Sequence, residues 1–453
     1  MAQQRRASLA GVRSPSPLAA ALLQSVTVTP ESDEWVKSWK QVHARDLIDC
    51  HIVAVEADST VEHACDLLLA EDIPCLAVKA LAPNSAISPY LGLFDFSDVN
   101  AFLTLAATRH TIPPHELKAN SRADQIMSAA RSGSVPVYLV SNLSEKNFLE
   151  TLPHDATLIS LLSVFARGTH RVMVQSEAPS ITYLGIVSDR RLLSWFSAYA
   201  ERTPAFQSYL SNSLYALSLP SLHMHSSVVA TTSSSQVLDA MRLMSEQGVS
   251  SVAVIDEDLG TLLSAVSVTD IGKIVVPSQS NQILSTPVHQ FIAQIKEVDG
   301  STDGVDKYPI YVVFPTSTLS YTIQKLMATN AHRLFVTDND FPLSSSPSIT
   351  NDFGTGCLCG IVSVVDILSL FARIANIPDV DPTQRMRHRR ASSSSSQSGG
   401  LSREFSSRSR SSSRTSMRMS ASPRIVATTL DHRSSISSLD AFQWSELVSP
   451  RRE

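Results

Sequence analysis

The strongest constraint on this chain is a pattern that repeats four times between residues 45 and 375 of its 453 residues. Each copy predicts an apolar helix, a strand rich in β-branched residues, a turn, a second strand and a closing helix. One copy of about 60 residues buries too little apolar surface to be comfortably stable alone, so the copies should pair. The predicted fold class is therefore α/β (α+β), with four modules in two pairs. Copy by copy, the predicted elements are 61–69, 76–78, 91–94 and a helix from 98; 158–165, 171–174, 184–187 and a helix through 195–196; 237–244, 252–255, 263–266 and a helix at 270; 321–327, 334–336, 358–362 and 364–372.

The four copies fill most of the middle of the chain. They leave no room for a separate catalytic domain, and the sequence contains no Gly-rich phosphate loop, nucleophile elbow or metal-ligand spacing. We therefore expect a protein that is not an enzyme. The predicted segments are a flexible leader (1–30), an N-terminal helix (31–44), the first module (45–106), the second module with an inserted helical segment (107–200), the third module (201–278), the fourth module (279–376) and a disordered Arg/Ser-rich tail (383–453).

Charge is distributed unevenly along the chain, whose formal net charge is −5. The tail holds 13 Arg against 5 acidic residues and the leader holds 3 Arg and no acid, so the body between them is acidic. An acidic body argues against nucleic-acid binding by the folded part. No apolar stretch reaches the roughly 18 residues of a membrane helix, and the cysteine spacing indicates neither a disulfide framework nor a zinc site. We expect an intracellular protein with no nucleic-acid or membrane partner.

Two features near the chain ends are candidates for partner contact or regulation. Trp35 and Trp39 lie four residues apart on one helix face, which predicts either a helix that caps the core or one that docks a partner. Ser8 and Ser392 each follow Arg-Arg-Ala, a preference of basophilic kinases, although such short matches also arise by chance in Arg/Ser-rich sequence. A phosphate adds about −1.5 to −2 charges, so phosphorylation would weaken any attraction of the basic tail for the acidic body.

The residues that carry chemistry lie where the last strand of a copy meets its last helix. Ser363 and Asp366 occupy this junction in the fourth copy, and Ser267 and Asp270 occupy it in the third. A hydroxyl and free N–H groups at a helix start suit a phosphate, and a carboxylate three residues on can grip a ribose diol. The same Ser-x-x-Asp spacing is close to a capping box, which holds a helix start together without a ligand. Spacing alone leaves both interpretations open.

With these junctions, the fourfold array resembles cystathionine β-synthase (CBS) domains, βαββα-type modules that pair into Bateman modules. The resemblance implies AMP, ADP or ATP as a regulatory ligand. His-Arg pairs that directly precede a strand in the second and fourth copies resemble those that face phosphates in the gamma subunit of AMP-activated kinase. Without the resemblance, each His-Arg pair would be interpreted as a strand edge with solvated head groups. The nucleotide-binding candidates are Ser267, Asp270, Ser363, Asp366, His332, Arg333, His170 and Arg171.

Further stretches resemble a fungal family of four-CBS-domain proteins, the Sds/Moc regulators of cell cycle and nutrient stress. These stretches are 23–30, 248–254 and 361–382 continuing into 389–392, of which the last is the most specific. The resemblance implies a non-catalytic protein of the cytoplasm and nucleus that inhibits a type 2A protein phosphatase and couples nutrient or stress status to mitosis and cell separation. A basophilic kinase and a second copy of the chain are further expected partners. The alternatives are a gamma-type subunit of AMP-activated kinase and a nucleotide-free CBS scaffold.

Both junctions of the first pair depart from the family pattern. Asp95 stands where the phosphate-facing hydroxyl of the first copy should be, and its charge would repel a phosphate. In the second copy, Ser188 is kept, but Arg191 replaces the ribose-binding carboxylate. We therefore expect the second pair to hold the nucleotide and the first pair to serve structure or partner contact.

Overall fold

The structure of this chain is a computed structural model that describes most of the predicted modules. The predicted leader and tail, with Ser8 and Ser392, lie outside the described residues. Among the residues that the structure describes, no helix combines the length and apolar character needed to cross a membrane. The described residues are 30–81, 88–108, 120–177, 182–217, 228–258, 261–275, 282–298, 311–338 and 357–378, with Leu219, Leu222 and Val380.

Four three-stranded sheets share one topology. In each sheet the first strand pairs in parallel with the second, and the second pairs antiparallel with the third. A helix links the two parallel strands, because a parallel pair requires a crossover connection. The predicted order of helix, strand, strand and helix is present in all four copies. The strands are β1 (Ala54–Val55), β2 (Leu76–Lys79) and β3 (Tyr90–Phe94); β4 (Thr151–Pro153), β5 (Arg171–Gln175) and β6 (Tyr183–Ser188); β7 (Ala230–Thr232), β8 (Ser251–Ile255) and β9 (Leu262–Ser267); β10 (Val312–Val313), β11 (Arg333–Asp338) and β12 (Cys357–Ser363).

Helices flank the sheets and supply most of the apolar core. A helix begins the described chain and is followed by a 3-10 turn (Ala44–Leu47), so the predicted helix over 31–44 ends earlier and changes form. The helices are α1 (Pro30–Trp39), α2 (Val61–Ala70), α3 (Phe96–Thr108), α4 (Ser121–Arg131), α5 (Val137–Val140), α6 (Leu158–Phe165), α7 (Asp189–Arg202), α8 (Pro204–Leu210), α9 (Val237–Gln247), α10 (Val268–Asp270) continued by a π turn (Ile271–Val275), α11 (Gln282–Ser285), α12 (Val288–Val298), α13 (Leu319–Ala328) and α14 (Val364–Ile374).

Each module packs against two others. The sheets of the first and second modules meet in one apolar cluster that includes Leu93 and Met173, and those of the third and fourth meet in another that includes Ala253 and Phe335. The helices form larger cores across the pairs, one joining the first module to the third and one joining the second to the fourth. The strand–helix junctions of different modules are thereby brought close to one another.

The segment that precedes each pair of modules packs against the second member of that pair. The stretch after α1 pairs with the second module, where the Ala44 N–H donates to the Ala156 carbonyl at 2.7 Å. Trp39 is fully buried in the core of the second and fourth modules, so α1 caps the core. A Cβ at Gly185 would overlap Ile48, so only glycine allows this close approach.

The equivalent segment before the third module behaves in the same way. The Leu214 N–H donates to the Ser317 carbonyl of the fourth module at 2.9 Å. Phe206 of α8 packs into the core of the second and fourth modules, although the predicted segment 201–278 grouped it with the third. Each pair is therefore tied together by its leading segment, which docks on the second member of that pair.

Candidate functional site

The strand–helix junctions of the third and fourth modules are built alike. The Ser363 hydroxyl donates to Asp366 Oδ2 at 2.6 Å, and the Asp366 N–H donates back to Ser363 Oγ at 3.2 Å. Ser267 and Asp270 make the same two contacts at 2.6 and 3.3 Å. Both junctions are capping boxes, so the structure contains the ligand-free arrangement that the spacing allowed. A nucleotide at either junction would have to take over hydrogen bonds that each serine and aspartate make to each other.

Arg333 brings a positive charge into the second pair. It begins β11 opposite Ser363, and its Nη2 donates to Ser250 Oγ of the third module at 2.9 Å. Its Nε is shielded from solvent and has no hydrogen-bond partner among the described residues, and the same holds for the hydroxyl of Ser251. Burial lowers the pKa of Arg333 to about 10, while Asp366 opposes the shift. The guanidinium is therefore charged at neutral pH and retains an unused donor, which is an arrangement suited to an anion.

Arg171 occupies the same position in the first pair, but its guanidinium is bound by the first module. Its Nη1 donates to Asp95 Oδ2 at 3.0 Å, and its Nη2 donates to the Pro74 carbonyl at 3.0 Å. Burial opposes the charged form of Asp95, but Arg171 and the hydrogen bonds from Asn147 and the Ser97 N–H together outweigh it and hold the pKa of that carboxyl below its usual range. In the second pair, Ser267 stands where Asp95 stands in the first, so Arg333 has no equivalent acid.

The carboxylate of Asp98 is enclosed by the chain's own inserted segment. It is fully buried and accepts hydrogen bonds from the Ser144 N–H at 2.8 Å, the Asn142 N–H at 3.2 Å and Asn147 Nδ2 at 2.8 Å. Burial, together with the nearby charge of Asp95, raises the pKa of Asp98 to about 7. The loop of residues 142–147 thus donates hydrogen bonds to the carboxylate that, in the family pattern, would bind ribose.

The junction of the second module is covered by the segment that precedes the first. The Ser188 hydroxyl donates to Asp49 Oδ2 at 2.5 Å, and its N–H donates to Asp49 Oδ1 at 3.0 Å. Ser188 Oγ accepts a hydrogen bond from the Arg191 N–H at 3.1 Å and thereby caps α7. The hydroxyl kept in the second copy is therefore used within the protein.

Two histidines and one aspartate meet between the second and fourth modules, and we call them the histidine cluster. His170 Nδ1 lies 2.8 Å from Asp189 Oδ2, and the ring centroids of His170 and His332 are 5.4 Å apart. Burial lowers the pKa of His332 to about 3, so its ring is neutral at physiological pH. Burial opposes the charged form of Asp189, but His170 together with the other neighbouring basic side chains outweighs it and lowers the pKa of the carboxyl. The cluster joins the two pairs of modules.

A cavity of about 270 Å³ lies beside the histidine cluster, between α7 and the helices of the fourth module. It combines two arginines at the start of α7 with apolar side chains. Nε and Nη2 of Arg190 and Nε of Arg191 are shielded from solvent and have no hydrogen-bond partner within the described part of the chain. This cavity is a second place where buried cationic donors are unused. Its lining residues are Asp49, Arg190, Arg191, Leu193, Ser194, Leu326, Met327 and Val364.

The structure brings some of the sequence-predicted residues together and separates others. His170 meets His332, and Arg333 lies near Asp366, whereas Arg171 is held by the first module. Sequence reasoning did not find Asp189 or the loop that closes on Asp98, because their partners lie 19 to 49 residues away along the chain or in another module. The sequence shows that Asp95 and Arg191 depart from the family pattern. It does not show that Asp95 forms an ion pair with Arg171. Nucleotide binding by the eight candidates stays a prediction.

Comparison with known proteins places this arrangement among CBS-domain proteins. The CBS domain family model matches residues 221–276, in the third module. Protein sds23 of Aspergillus niger is 30% identical over 418 residues, which cover 82% of this chain and 80% of that protein. Protein SDS23 of Yarrowia lipolytica is 34% identical over 366 residues, which cover 76% of this chain and 69% of that protein.

A solved structure shares the fold over most of the chain. It belongs to a protein of Methanocaldococcus jannaschii proposed as an archaeal homologue of γ-AMPK, and it aligns with a TM-score of 0.50 at 13% identity. The alignment covers 73% of this chain and 100% of that one. At this identity the likeness concerns the fold alone, and it confirms the predicted CBS-type α/β class.

Proposed function

This chain belongs to the Sds23 family and is a regulatory CBS-domain protein, and we propose that its second pair of modules binds an adenine nucleotide, AMP, ADP or ATP. The observation that carries this proposal is the unused donor of Arg333. A buried guanidinium without full compensation is costly, and a phosphate would compensate it. We propose no catalytic role for the chain.

The surrounding groups supply the rest of a nucleotide site. Ser363 and Ser267 offer hydroxyls at helix starts, where a phosphate would replace the capping-box hydrogen bonds. Asp366 and Asp270 would exchange their capping-box bonds for the ribose hydroxyls. The neutral ring of His332 lies next to Arg333 and offers one more polar contact.

Calorimetric titration of the full chain with AMP, ADP and ATP tests the proposal. Hydrogen bonds to a charged group contribute about 1.5 to 3 kcal/mol, so Arg333→Met should weaken binding by about 10- to 150-fold. Arg131→Met, at an exposed position on α4, is the matched control and should leave affinity unchanged. Equal affinity of the wild type and Arg333→Met, or no binding by the wild type, would contradict the proposal.

The output of nucleotide binding is proposed to be inhibition of a type 2A protein phosphatase, coupling nutrient or stress status to mitosis and cell separation in the cytoplasm and nucleus. Its support is membership of the Sds23 family, which resembles the Sds/Moc regulators. Adding the full chain to purified phosphatase should reduce its activity, and nucleotide should change the concentration needed. Unchanged phosphatase activity, with capture of AMP-activated kinase subunits instead, would favour the gamma-subunit alternative.

The chain ends are proposed to adjust this inhibition through phosphorylation. Ser8 and Ser392 are the expected targets of a basophilic kinase, and phosphate there would reduce the positive charge of the ends. Phosphate mapping of protein from glucose-rich and starved cells should show occupancy that differs between the conditions. Both serines unmodified in both conditions would contradict this regulation.

A further inference from the structure

The histidine cluster has the composition of a metal site that no sequence spacing reveals. One ligand atom from each of His170, Asp189 and His332 lies within 4.8 Å of the others. The closest pair, His170 Nδ1 and Asp189 Oδ2, is 2.8 Å apart and hydrogen-bonded, so an ion bound by both atoms would replace this hydrogen bond. Two residues come from the second module and one from the fourth. The three ligands therefore converge only when the two pairs of modules are assembled.

The ligand types indicate which ion the cluster would take. Imidazole nitrogen and carboxylate oxygen together suit Zn²⁺ and related divalent transition metals, whereas Ca²⁺ and Mg²⁺ prefer oxygen alone. Three protein ligands leave a coordination position for water or another small ligand. His332 Nδ1 is shielded from solvent and makes no hydrogen bond to any described residue, so a lone pair there has no assigned partner.

The charges around the cluster permit a cation. Arg171 lies nearby, but its charge is balanced by Asp95 at 3.0 Å. Arg190 follows Asp189 directly and is the other neighbouring cation, while Asp189 itself supplies a buried negative charge among the ligands. Asp95 balances Arg171 and Asp189 balances Arg190, while Asp366 partly offsets the charge of Arg333, which follows His332.

We propose that His170, Asp189 and His332 form a Zn²⁺ site that links the second module to the fourth. This site shares His332 with the proposed nucleotide site, but its other two ligands, His170 and Asp189, lie outside the second pair of modules, and it uses neither Arg333 nor the capping boxes. An ion held by both modules stabilises the assembled state, since it binds the folded protein and not the separated modules. The site would tie the two pairs of modules together.

Titration of the full chain with Zn²⁺ after treatment with chelator, in the absence of nucleotide, tests the site. We expect one equivalent to bind and to raise the melting temperature. Co²⁺ used as a spectroscopic probe should show absorption typical of nitrogen and oxygen ligands. His332→Gln and the isosteric Asp189→Asn should each lower affinity by at least about tenfold, since even partners outside the first ligands cost 10–100-fold.

His63→Gln is the matched control, because His63 is exposed on α2 and lies outside the cluster. It should bind Zn²⁺ like the wild type. Absence of Zn²⁺ binding by the wild type would overturn the proposal. So would a Zn²⁺ affinity of His332→Gln and Asp189→Asn that equals that of the wild type. Nucleotide affinity measured separately in chelator keeps this result distinct from the nucleotide proposal, because either site can fail alone.

Discussion

The first and fourth modules place an aspartate at the same backbone position and use it differently. Asp98 is enclosed by the loop of residues 142–147, and the adjoining Asp95 pairs with Arg171. Asp366 accepts hydrogen bonds from the N–H and the hydroxyl of Ser363, and it lies near Arg333, whose Nε has no partner among the described residues. Two modules with the same backbone fold therefore do not have the same binding site. The polar groups that reach a junction from other segments decide whether it serves structure or remains available to a ligand.

The largest expected difference between the two junctions is in the free energy of unfolding. Arg171→Met leaves Asp95 as an unpaired buried charge and should lower stability by about 3–5 kcal/mol. Arg333→Met removes a charge for which the described residues supply no ion-pair partner, so it should be neutral or stabilising. Urea denaturation of both variants measures the contrast, and equal losses would show that the two arginines are equally engaged.

A smaller effect is expected on nucleotide affinity. Asp366→Ala should weaken binding by about 10- to 150-fold, because hydrogen bonds to a charged group contribute about 1.5–3 kcal/mol. Asp239→Ala is a matched control, since Asp239 forms a capping box at the same helix position of α9, away from the junctions. Calorimetry that finds both variants binding like the wild type would reduce Asp366 to a helix cap.

Loss of the serine from either capping box should lower the stability of the protein modestly and by about the same amount. Ser363→Ala and Ser267→Ala each remove the side chain that caps a helix start, and each should cost about 1 kcal/mol in the absence of nucleotide. Thermal unfolding of the two variants provides the measurement. If only one of the two variants lost several kcal/mol of stability, that junction would have a structural role like the junction of the first module.

The last expected effect is a slope of stability against pH that originates in the first module. Because the pKa of Asp98 is raised to about 7, the folded state holds a proton that the unfolded state has released above about pH 4. Its stabilising contribution is therefore complete below pH 4 and is lost as pH rises to 7, at no more than about 1.4 kcal/mol per pH unit. Asp98→Asn should remove this part of the slope in denaturation series from pH 4 to 8. An unchanged slope would mean that Asp98 does not retain its proton.

The fold was largely predictable because it depends on local periodicity. Helix 158–165 and the boundaries of the paired strands follow from alternating and helical apolar patterns, and the structure matches them to within one to three residues at most ends. The first strand of each module was not located, since two or three residues, as in Ala54–Val55, are too few to show a period. Pairing of the modules followed from the small core of a single copy.

The candidate site was only partly predictable because its contacts are long-range. Ser363 and Asp366 share one turn, so their relation was visible as a motif. The pairing of Arg171 with Asp95 spans 76 residues, and the contact of His170 with His332 joins separate pairs of modules. No spacing rule encodes such contacts, which depend on how four cores pack together.

Hydrogen exchange of the full chain with and without saturating nucleotide tests the central contrast most directly. We expect slower exchange of backbone amides at residues 266–270, 332–336 and 363–366, because the nucleotide would order these junctions in the second pair. Amides at residues 93–98 should exchange at the same rate with and without nucleotide. Protection confined to residues 93–98, or protection at neither junction, would contradict the assignment of the nucleotide to the second pair.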